Sequence, residues 1–323
     1  MKATRLMRGL LKWMPIGKDY VRAYGLMQKL RDCPAARDLQ GYSSPIPSLS
    51  QIKTDHDRIF AIPKEFPGID LNVAGQRTLG MELAPFVADC PFPVTATPPW
   101  RYHGDNDWFS WGDAVVLYAL VRSSRPARIL EVGSGFSSAV ILDTVEHHLG
   151  DTTHCTFIEP YPDRLRSLLR PDDQQRCQVV VNRVHTVGID PFLELAAGDI
   201  LLIDSSHVSK VGSDVNWLIF EVLPRLAPGV LVHVHDVHFP FEYPEKWFEC
   251  GFALNEIYML RAFLTFNNRF KIVFWNDFLK TCETEWLRQN LPGCFKGWST
   301  SIWLRVMGDP EASEQKGTGS PTP

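Results

Sequence analysis

The sequence predicts an α/β fold with a doubly wound, mostly parallel sheet, preceded by an irregular, partly helical N-terminal segment. Residues 128–149 run from an apolar strand through a glycine turn into a helix, an arrangement that presents nucleotide-like ligands in open α/β sheets. Short, wholly apolar segments then alternate with helical patterns, which is typical of parallel strands covered on both faces. Polar residues follow several of these strands, at the carboxyl ends where such sheets bind ligands.

The glycine turn follows the first strand directly, with Gly133 and Gly135 on either side of a serine. Glycine lets the backbone approach a ligand closely, and small residues open the helix predicted from Ser138 to about residue 149, where amide N–H groups point outward. Glu131, just before the turn, is unusual for a core strand. It predicts a ligand that carries hydroxyl groups or a positive charge.

The other elements follow from apolar periodicity and from turn residues. Further strands are predicted at 154–158, 178–181, 199–203, 230–234, 271–275 and 299–306. Helices are predicted at 76–84, 112–122, 214–223 and 254–266. Pro85 should interrupt or kink the first of these helices, and any continuation should stop before Pro91. Trp298 and Trp303, near the last strand, are interpreted as core residues.

The overall composition is that of a soluble globular protein, with 323 residues of which 45% are hydrophobic and 22% charged. The net charge of −4 gives no indication of a nucleic-acid partner. The seven cysteines include no Cys-x-x-Cys pair, which argues against a zinc site or a disulfide framework and favours a reducing, cytoplasmic location. No apolar run approaches the roughly 18 residues that a membrane span needs.

Three segments are expected along the chain: a basic helix with an irregular wrapping segment (1–95), the main domain (96–307) and a disordered tail (308–323). The first 31 residues carry eight Lys or Arg against a single acid. This start is predicted to be a helix that is packed on the domain or partly frayed, or one that makes weak peripheral contact with an anionic membrane. A homo-oligomer contact through the N-terminal segment is also open.

An acid follows the second predicted strand, where Glu159 precedes Pro160. At the end of a strand beside the glycine turn, a carboxylate can accept hydrogen bonds from both hydroxyls of a ribose. The alternative interpretation is an acid that favours the start of the next helix.

Two polar groups follow the fourth and fifth predicted strands: Asp204 with His207, and His235 with Asp236. They should face each other across adjacent strand ends. Two carboxylates with nearby imidazoles can hold Mg²⁺ or another divalent cation, and His207 can accept a proton because its ordinary pKa lies near neutrality. The alternative is a pair of hydrogen-bonded acids without a metal.

Taken in order, these motifs resemble a class I, Rossmann-like S-adenosylmethionine (SAM)-dependent methyltransferase over about residues 100–306. The pattern is Glu131-x-Gly133-x-Gly135, then Glu159, then Asp204, then Pro228-Gly229 before the fifth strand. The resemblance implies a seven-stranded sheet with a reversed final hairpin, and a SAM cofactor. The cofactor residues that we expect from the motifs and the resemblance are Glu131, Gly133, Ser134, Gly135, Ser137, Ser138, Glu159 and Asp204.

The Asp204-x-x-His207 unit further resembles metal-dependent sugar O-methyltransferases of natural-product pathways. In that family the Asp is a metal ligand, the His is the base, and a second acid pair follows the fifth strand. Here one acid of that pair is replaced by His235. The resemblance implies O-methylation of a small-molecule or sugar hydroxyl, with His207, Asp204 and Asp236 as catalytic residues and Asp204, Asp236 and His235 as metal ligands.

Other interpretations stay open at this point. The glycine turn also starts like the fingerprint of an NAD-dependent oxidoreductase, and a non-catalytic module could retain the same fold. Residues 105–110 could cap the following helix, with Ser110 as the cap, or close over a bound ligand. The aromatic segment 239–247 suits a sugar or another ring-bearing acceptor, and equally suits a loop packed on the sheet.

Overall fold

The computed structural model describes residues 44–308, which fall into two compact units. One unit contains residues 44–56 and 245–253, and the other contains residues 57–244 and 254–308. All candidate site residues lie in the larger unit. The predicted basic helix at 1–31 and the predicted tail after residue 308 lie outside the described residues, and the predicted domain limits remain predictions.

The larger unit is built on one seven-stranded sheet with the order β3-β2-β1-β4-β5-β7-β6. All neighbouring pairs are parallel except those that involve β7, which is antiparallel to both β5 and β6. The strands are β1 (Arg128–Val132), β2 (His154–Ile158), β3 (Cys177–Val180), β4 (Ile200–Ile203), β5 (Leu231–Val234), β6 (Phe270–Trp275) and β7 (Ile302–Val306). This topology confirms the predicted fold class and its reversed final hairpin.

Helices alternate with the strands along the chain. In chain order the α-helices are α1 (Leu49–Thr54), α2 (His56–Ile59), α3 (Val73–Ala88), α4 (Trp111–Ser124), α5 (Phe136–Thr144), α6 (Asp163–Leu168), α7 (Val184–Val187), α8 (Asp190–Leu193), α9 (Asp214–Trp217), α10 (Glu245–Glu249), α11 (Glu256–Leu264), α12 (Asn276–Cys282) and α13 (Thr284–Asn290). Wider π-helical turns continue α5 over Val145–Leu149 and α9 over Leu218–Val222. Within the described residues, no helix is long and apolar enough to cross a bilayer.

The smaller unit contains α1, α10 and His56, the first residue of α2, and two pairs of charged or ionisable side chains join these segments. Lys53 Nζ lies 3.6 Å from Glu249 Oε1, and His56 Nε2 lies 3.6 Å from Glu245 Oε2. Exposed pairs of this kind contribute at most about 1 kcal/mol each.

Most predicted strands agree with the structure to within one residue at each end, but the last strand is shorter than predicted. It begins at Ile302 and not at Ser299, because the amides of Thr300 and Ser301 donate to the buried carboxylate of Asp113. Trp303 is fully buried as expected, whereas the interpretation of Trp298 as a core residue is wrong, since its side chain is 66% exposed.

Helix α3 is longer than the predicted segment at 76–84. It begins at Val73, because two side chains anchor its start to β6: Asn72 Nδ2 donates to the carbonyl of Ile272, and Gln76 Oε1 accepts from the amide of Trp275. The helix continues through Pro85 and ends at Ala88. Pro85 therefore does not end it, while the expected stop before Pro91 is confirmed.

Helix α4 crosses the centre of the unit and is buried on all sides from Gly112 to Val121. The sequence pattern predicted only one inner face. A helix enclosed in this way can hold a buried polar side chain as part of the core, and Asp113 in its first turn is 1% exposed. This carboxylate has a role in the site described next.

Candidate active site

The polar strand ends meet at the carboxyl edge of the sheet, beside the point where the strand order reverses between β1 and β4. Two groups of residues lie there. The first, called here the glycine-turn cluster, consists of Glu131, Gly133, Gly135, Ser138 and Glu159. The second, called here the His207 cluster, consists of Asp204, His207, Asp236 and Glu256.

Gly133 brings the end of β1 into direct backbone contact with the end of β4. Its φ is +80°, in the region that favours glycine. A Cβ at this position would lie 1.7 Å from the carbonyl oxygen of Asp204. No side chain fits there, so the glycine is required by the close approach of the two strand ends.

Glu131 is a buried carboxyl with incomplete compensation. It is 0% exposed, and its Oε2 accepts a hydrogen bond from the hydroxyl of Ser138. Oε1 has no hydrogen-bond partner among the described residues, and the same is true of the buried hydroxyl of Ser134. Burial raises the pKa of Glu131 to about 8, although the nearby Ser137 and Ser138 hydroxyls lower it somewhat. A buried, unpaired acceptor suits a ligand that brings a positive charge.

Glu159, at the end of β2, is fixed by the glycine turn. Its Oε2 accepts from the amide of Ser134 at 3.0 Å, and its Oε1 accepts from the amide of Tyr161 at 2.7 Å. Neither amide belongs to helix α6, which begins at Asp163. The carboxylate thus lies beside the turn, half-buried, where the predicted ribose contact would occur.

The segment 105–110 also reaches the glycine turn. The guanidinium carbon of Arg164 lies 3.3 Å from the ring centre of Trp108, and the same arginine side chain lies 3.0 Å from where a Cβ of Gly135 would be. Ser110 stands at the start of α4 without capping it. Its hydroxyl instead donates to the carboxylate of Asp113 and to the carbonyl of Trp298.

The His207 cluster brings together the two predicted strand-end motifs. His207 Nε2 lies 3.2 Å from Asp204 Oδ1 and 3.6 Å from Asp236 Oδ2. His207 and Asp236 both have φ near +56°, a strained conformation that persists for non-glycine residues only where the surroundings fix it. The sequence prediction that these motifs face each other is therefore correct.

Glu256 completes the His207 cluster and was not predicted. Its Oε2 lies 2.8 Å from His207 Nδ1, on the side of the ring opposite Asp204, and its Oε1 accepts from the hydroxyl of Ser205 at 3.2 Å. Glu256 is 2% exposed and lies in the first turn of α11. The sequence marked it only as an acid at the start of a helix, since its distance from His207 depends on the complete fold.

Charge within the cluster sets the protonation of its members. Burial alone would lower the pKa of His207, but hydrogen bonds to Asp204 and Glu256 and their charges raise it well above its ordinary value. Burial alone would raise the pKa of Asp204, but the imidazoles of His235 and His207 hold it at about 2. The cluster therefore contains carboxylates around a readily protonated imidazole.

Asp236 is positioned by a second chain of hydrogen bonds that the sequence did not predict. Thr300 Oγ1 donates to Asp236 Oδ1 at 3.1 Å, and the amide of Thr300 donates to Asp113 Oδ1 at 3.0 Å. Asp113 also accepts from Asn276 Nδ2 at 2.9 Å. The signal that could have identified Asp113 in the sequence is an acid within an apolar helix pattern.

The residues proposed as metal ligands do not form a metal site as they are arranged. Within residues 44–308 there is no group of three or more His, Cys, Asp or Glu side chains that could hold a metal ion. His207 Nε2 is within 3.6 Å of both Asp204 and Asp236. His235 lies 3.7 Å from Asp236 Oδ1 and stacks on the buried His233, with ring centres 5.5 Å apart. A cation between the carboxylates would have to displace the ring of His207.

The aromatic segment after β5 is packed into the protein over its first residues. Phe241 and Tyr243 are buried, and the ring of Phe239 contacts Trp275 and Phe278. Of the two interpretations of this segment, loop packing is the one that its residues in the larger unit support. The exposed aromatic side chains Trp108, Tyr161 and Trp298 lie instead on segments that lead to the two clusters.

Residues 130–237 match the sequence model of a family described as a methyltransferase domain. The matched segment runs from the third residue of β1 past β5 and so contains both Glu131 and Asp236. This match identifies residues 130–237 as a methyltransferase domain. The resemblance read from the motifs is confirmed at this level, and the sequence signal that carries it is the glycine turn with its flanking acids.

Known proteins that are similar to this chain include a protein of Archaeoglobus fulgidus described as uncharacterized. It is 33% identical over 130 residues, which is 39% of this chain and 59% of the archaeal protein. The chain thus matches about three fifths of that relative's length.

Two solved structures are also similar to the chain. The O-methyltransferase TomG from Streptomyces achromogenes, in complex with SAM, has 13% identity and a TM-score of 0.40, with 80% of this chain and 96% of that chain covered. The SAH-bound methyltransferase PaMTH1 from Podospora anserina has 12% identity and a TM-score of 0.38, with 80% and 95% covered. The activity of the present methyltransferase domain has to be inferred from its own residues.

Proposed function

We propose that this protein transfers a methyl group from SAM to a hydroxyl oxygen of a small molecule or a sugar, with His207 as the general base. The observation that carries the proposal is the position of His207 Nε2, between Asp204 and Asp236 at the carboxyl edge of the sheet and next to the glycine turn. SAM, when bound, supplies a methyl group that is electrophilic because it is carried by a sulfonium.

The glycine-turn cluster fits SAM by its chemistry. The close approach at Gly133 leaves the backbone free of side chains, and Glu131 and Ser134 offer buried polar oxygens without partners among the described residues. An ammonium or sulfonium charge near Glu131 would lower its pKa and stabilise the carboxylate. Glu159 would accept hydrogen bonds from the ribose hydroxyls beside the turn.

In the proposed reaction His207 Nε2 takes the proton of the acceptor hydroxyl while the oxygen forms a bond to the methyl carbon. The carbon–sulfur bond breaks, its electron pair stays on sulfur, and S-adenosylhomocysteine (SAH) leaves. Positioning of the hydroxyl in line with the methyl group and removal of its proton supply most of the acceleration in such a transfer. Asp204 and Asp236 stabilise the imidazolium that forms.

The divalent cation expected from the resemblance has no part in this proposal, because the ring of His207 lies between the two carboxylates that would bind it. Dialysis against EDTA is expected to leave methyl transfer within about twofold of its starting rate. Loss of activity that Mg²⁺ restores would bring the metal back as a ligand of Asp204 and Asp236.

The decisive experiment combines binding and turnover. Calorimetry with SAM, SAH and NAD should give saturable binding of SAM and SAH alone. Incubation with radiolabelled SAM and a panel of phenols and simple glycosides should then transfer label to a hydroxyl. Binding of NAD alone would favour the oxidoreductase alternative, and binding of no nucleotide would favour a non-catalytic module.

A further inference from the structure

Glu256 contacts the Nδ1 edge of the His207 ring, whereas Asp204 contacts the Nε2 edge. The carboxylate is 2% exposed and lies 2.8 Å from Nδ1. Its second oxygen accepts from the Ser205 hydroxyl at 3.2 Å, so both oxygens have partners in the segment that carries the imidazole.

The backbone of the same segment is also fixed by the start of α11. The carbonyl of His207 accepts from the amides of Asn255 at 3.0 Å and Glu256 at 3.1 Å, and the amide of Ser209 donates to the side chain of Asn255. These bonds hold His207 at its positive φ. Since a helix N-terminus favours negative charge, α11 suits a carboxylate at position 256.

Two carboxylates compete for the single proton of a neutral His207 ring. Asp204 attracts it to Nε2 at 3.2 Å, whereas Glu256 attracts it to Nδ1 at 2.8 Å. Glu256 has the shorter contact and is almost fully buried, while the side chain of Asp204 is 29% exposed. Coulomb attraction grows as distance and effective dielectric fall, so the pair with Glu256 is the stronger one.

The geometry points to Glu256 as the positioning residue that holds the Nδ1–H of His207, which leaves the lone pair on Nε2 directed to the acceptor hydroxyl. This inference rests on the proposed function, since it assigns the orientation and tautomer of the proposed base. Glu256 has no contact with substrate in this role. It acts through His207. In other enzymes, too, a carboxylate fixes the tautomer of a catalytic imidazole.

The test detects the ring N–H protons of His207 directly and needs no methyl acceptor. Histidine-ring ¹⁵N–¹H long-range correlation spectra are recorded on ¹⁵N-histidine-labelled full-length protein saturated with SAH, at a pH high enough for the His207 ring to be neutral, with His207 assigned by comparison with His207→Asn. The wild-type spectrum should contain a downfield Nδ1–H proton of a charge-assisted hydrogen bond. In Glu256→Gln this resonance should be lost and the Nε2–H tautomer should become populated.

A control is Glu242→Gln, a partly buried glutamate that accepts from Tyr258 Oη on α11 at 2.8 Å. This variant should reproduce the wild-type ring spectrum. An unchanged ring in Glu256→Gln, or a wild-type ring protonated only at Nε2, would overturn the inference. The wild-type spectrum decides by itself if Glu256→Gln fails to fold.

Kinetics with an acceptor found in the glycoside and phenol panel add a second readout. Glu256→Gln should lower kcat by about 10- to 100-fold, with the KM for SAM within about twofold, while Glu242→Gln changes neither. Equal losses of kcat and of SAM affinity would indicate a structural role and contradict the inference. A wild-type protein with the expected ring spectrum but no methyl transfer to any panel member would refute the proposed function and leave the pair intact.

Discussion

The glycine-turn cluster and the His207 cluster lie at one edge of the same sheet, yet they differ in how their carboxyl groups are compensated. In the first, a buried carboxyl at Glu131 is compensated only by hydroxyl groups, so that burial raises its pKa to about 8. In the second, three carboxylates surround His207, whose pKa their hydrogen bonds and charges raise well above its ordinary value. The glycine-turn cluster has no cationic side chain among its residues, whereas the His207 cluster contains a readily protonated imidazole.

This difference indicates a division of labour. A site that lacks a cation is complete only when a ligand brings one, which suits a cofactor with ammonium and sulfonium groups. A site with its own imidazole can bind a neutral acceptor and exchange a proton with it. The substitutions considered next should affect binding at one cluster and turnover at the other.

The largest effect is expected from His207→Gln. Loss of a general base lowers kcat by about 10²- to 10⁴-fold, whereas the dissociation constant for SAH should stay within about twofold. Because the pKa of His207 is raised, the ring is protonated at neutral pH, and its neutral form increases as the pH rises. Wild-type kcat, measured by transfer of radiolabelled methyl, should therefore rise as the pH is raised above neutrality, and this rise should be absent in the variant.

A suitable control is His154→Gln, since this exposed histidine lies at the amino end of β2, away from the site. It should retain both the wild-type rate and its pH dependence. A variant of His207 that binds SAH much more weakly would place this residue with the cofactor and would remove the distinction between the two clusters.

A smaller effect, on binding, is expected from Glu159→Ala. Hydrogen bonds to a charged group contribute about 1.5–3 kcal/mol, so the dissociation constant for SAH should increase by about 10- to 100-fold in calorimetry. At saturating SAM, kcat should fall by less than about fivefold. Asp163→Asn, in the first turn of α6, serves as the control and should bind SAH like the wild type. If Glu159 were only a helix-start acid, Glu159→Ala would lower the free energy of unfolding without changing SAH affinity.

The sequence predicts the glycine-turn cluster well because its signal is local. Glu131, Gly133 and Gly135 lie within five residues, and the apolar strand before them fixes which edge of the sheet they reach. Asp204 and Asp236 could be predicted for a related reason, since parallel strands place their carboxyl ends side by side.

The partners in the His207 cluster could not be predicted in the same way. Glu256 is 49 residues from His207, and Asp113 is 187 residues from Thr300. Their contacts depend on where α11 begins and on the path of the chain before β7, which single-sequence patterns do not define. The exposure of Trp298 was missed for the same reason, because Asp113 holds residues 300 and 301 outside the strand.

A third effect, on stability, is expected from Glu131→Gln, and its size depends on pH. The carboxyl ionises near its model value of 4.5 in the unfolded chain and at about 8 in the folded protein. Between these values the folded state binds more protons than the unfolded state, so wild-type stability falls as pH rises. Glutamine does not ionise, and Glu131→Gln should be more stable at pH 7.5 by on the order of 4 kcal/mol.

The advantage of Glu131→Gln should disappear at about pH 4.5, as urea unfolding at pH 4.5, 6 and 7.5 can test. An exposed glutamate provides the control, and Glu194→Gln should give the same stability as the wild type at each pH. The gain in stability should be accompanied by weaker binding of SAM, because the neutral amide no longer attracts its positive charge. A variant that is less stable at pH 7.5 would mean that Glu131 is compensated within the protein, and the contrast between the two clusters would be lost.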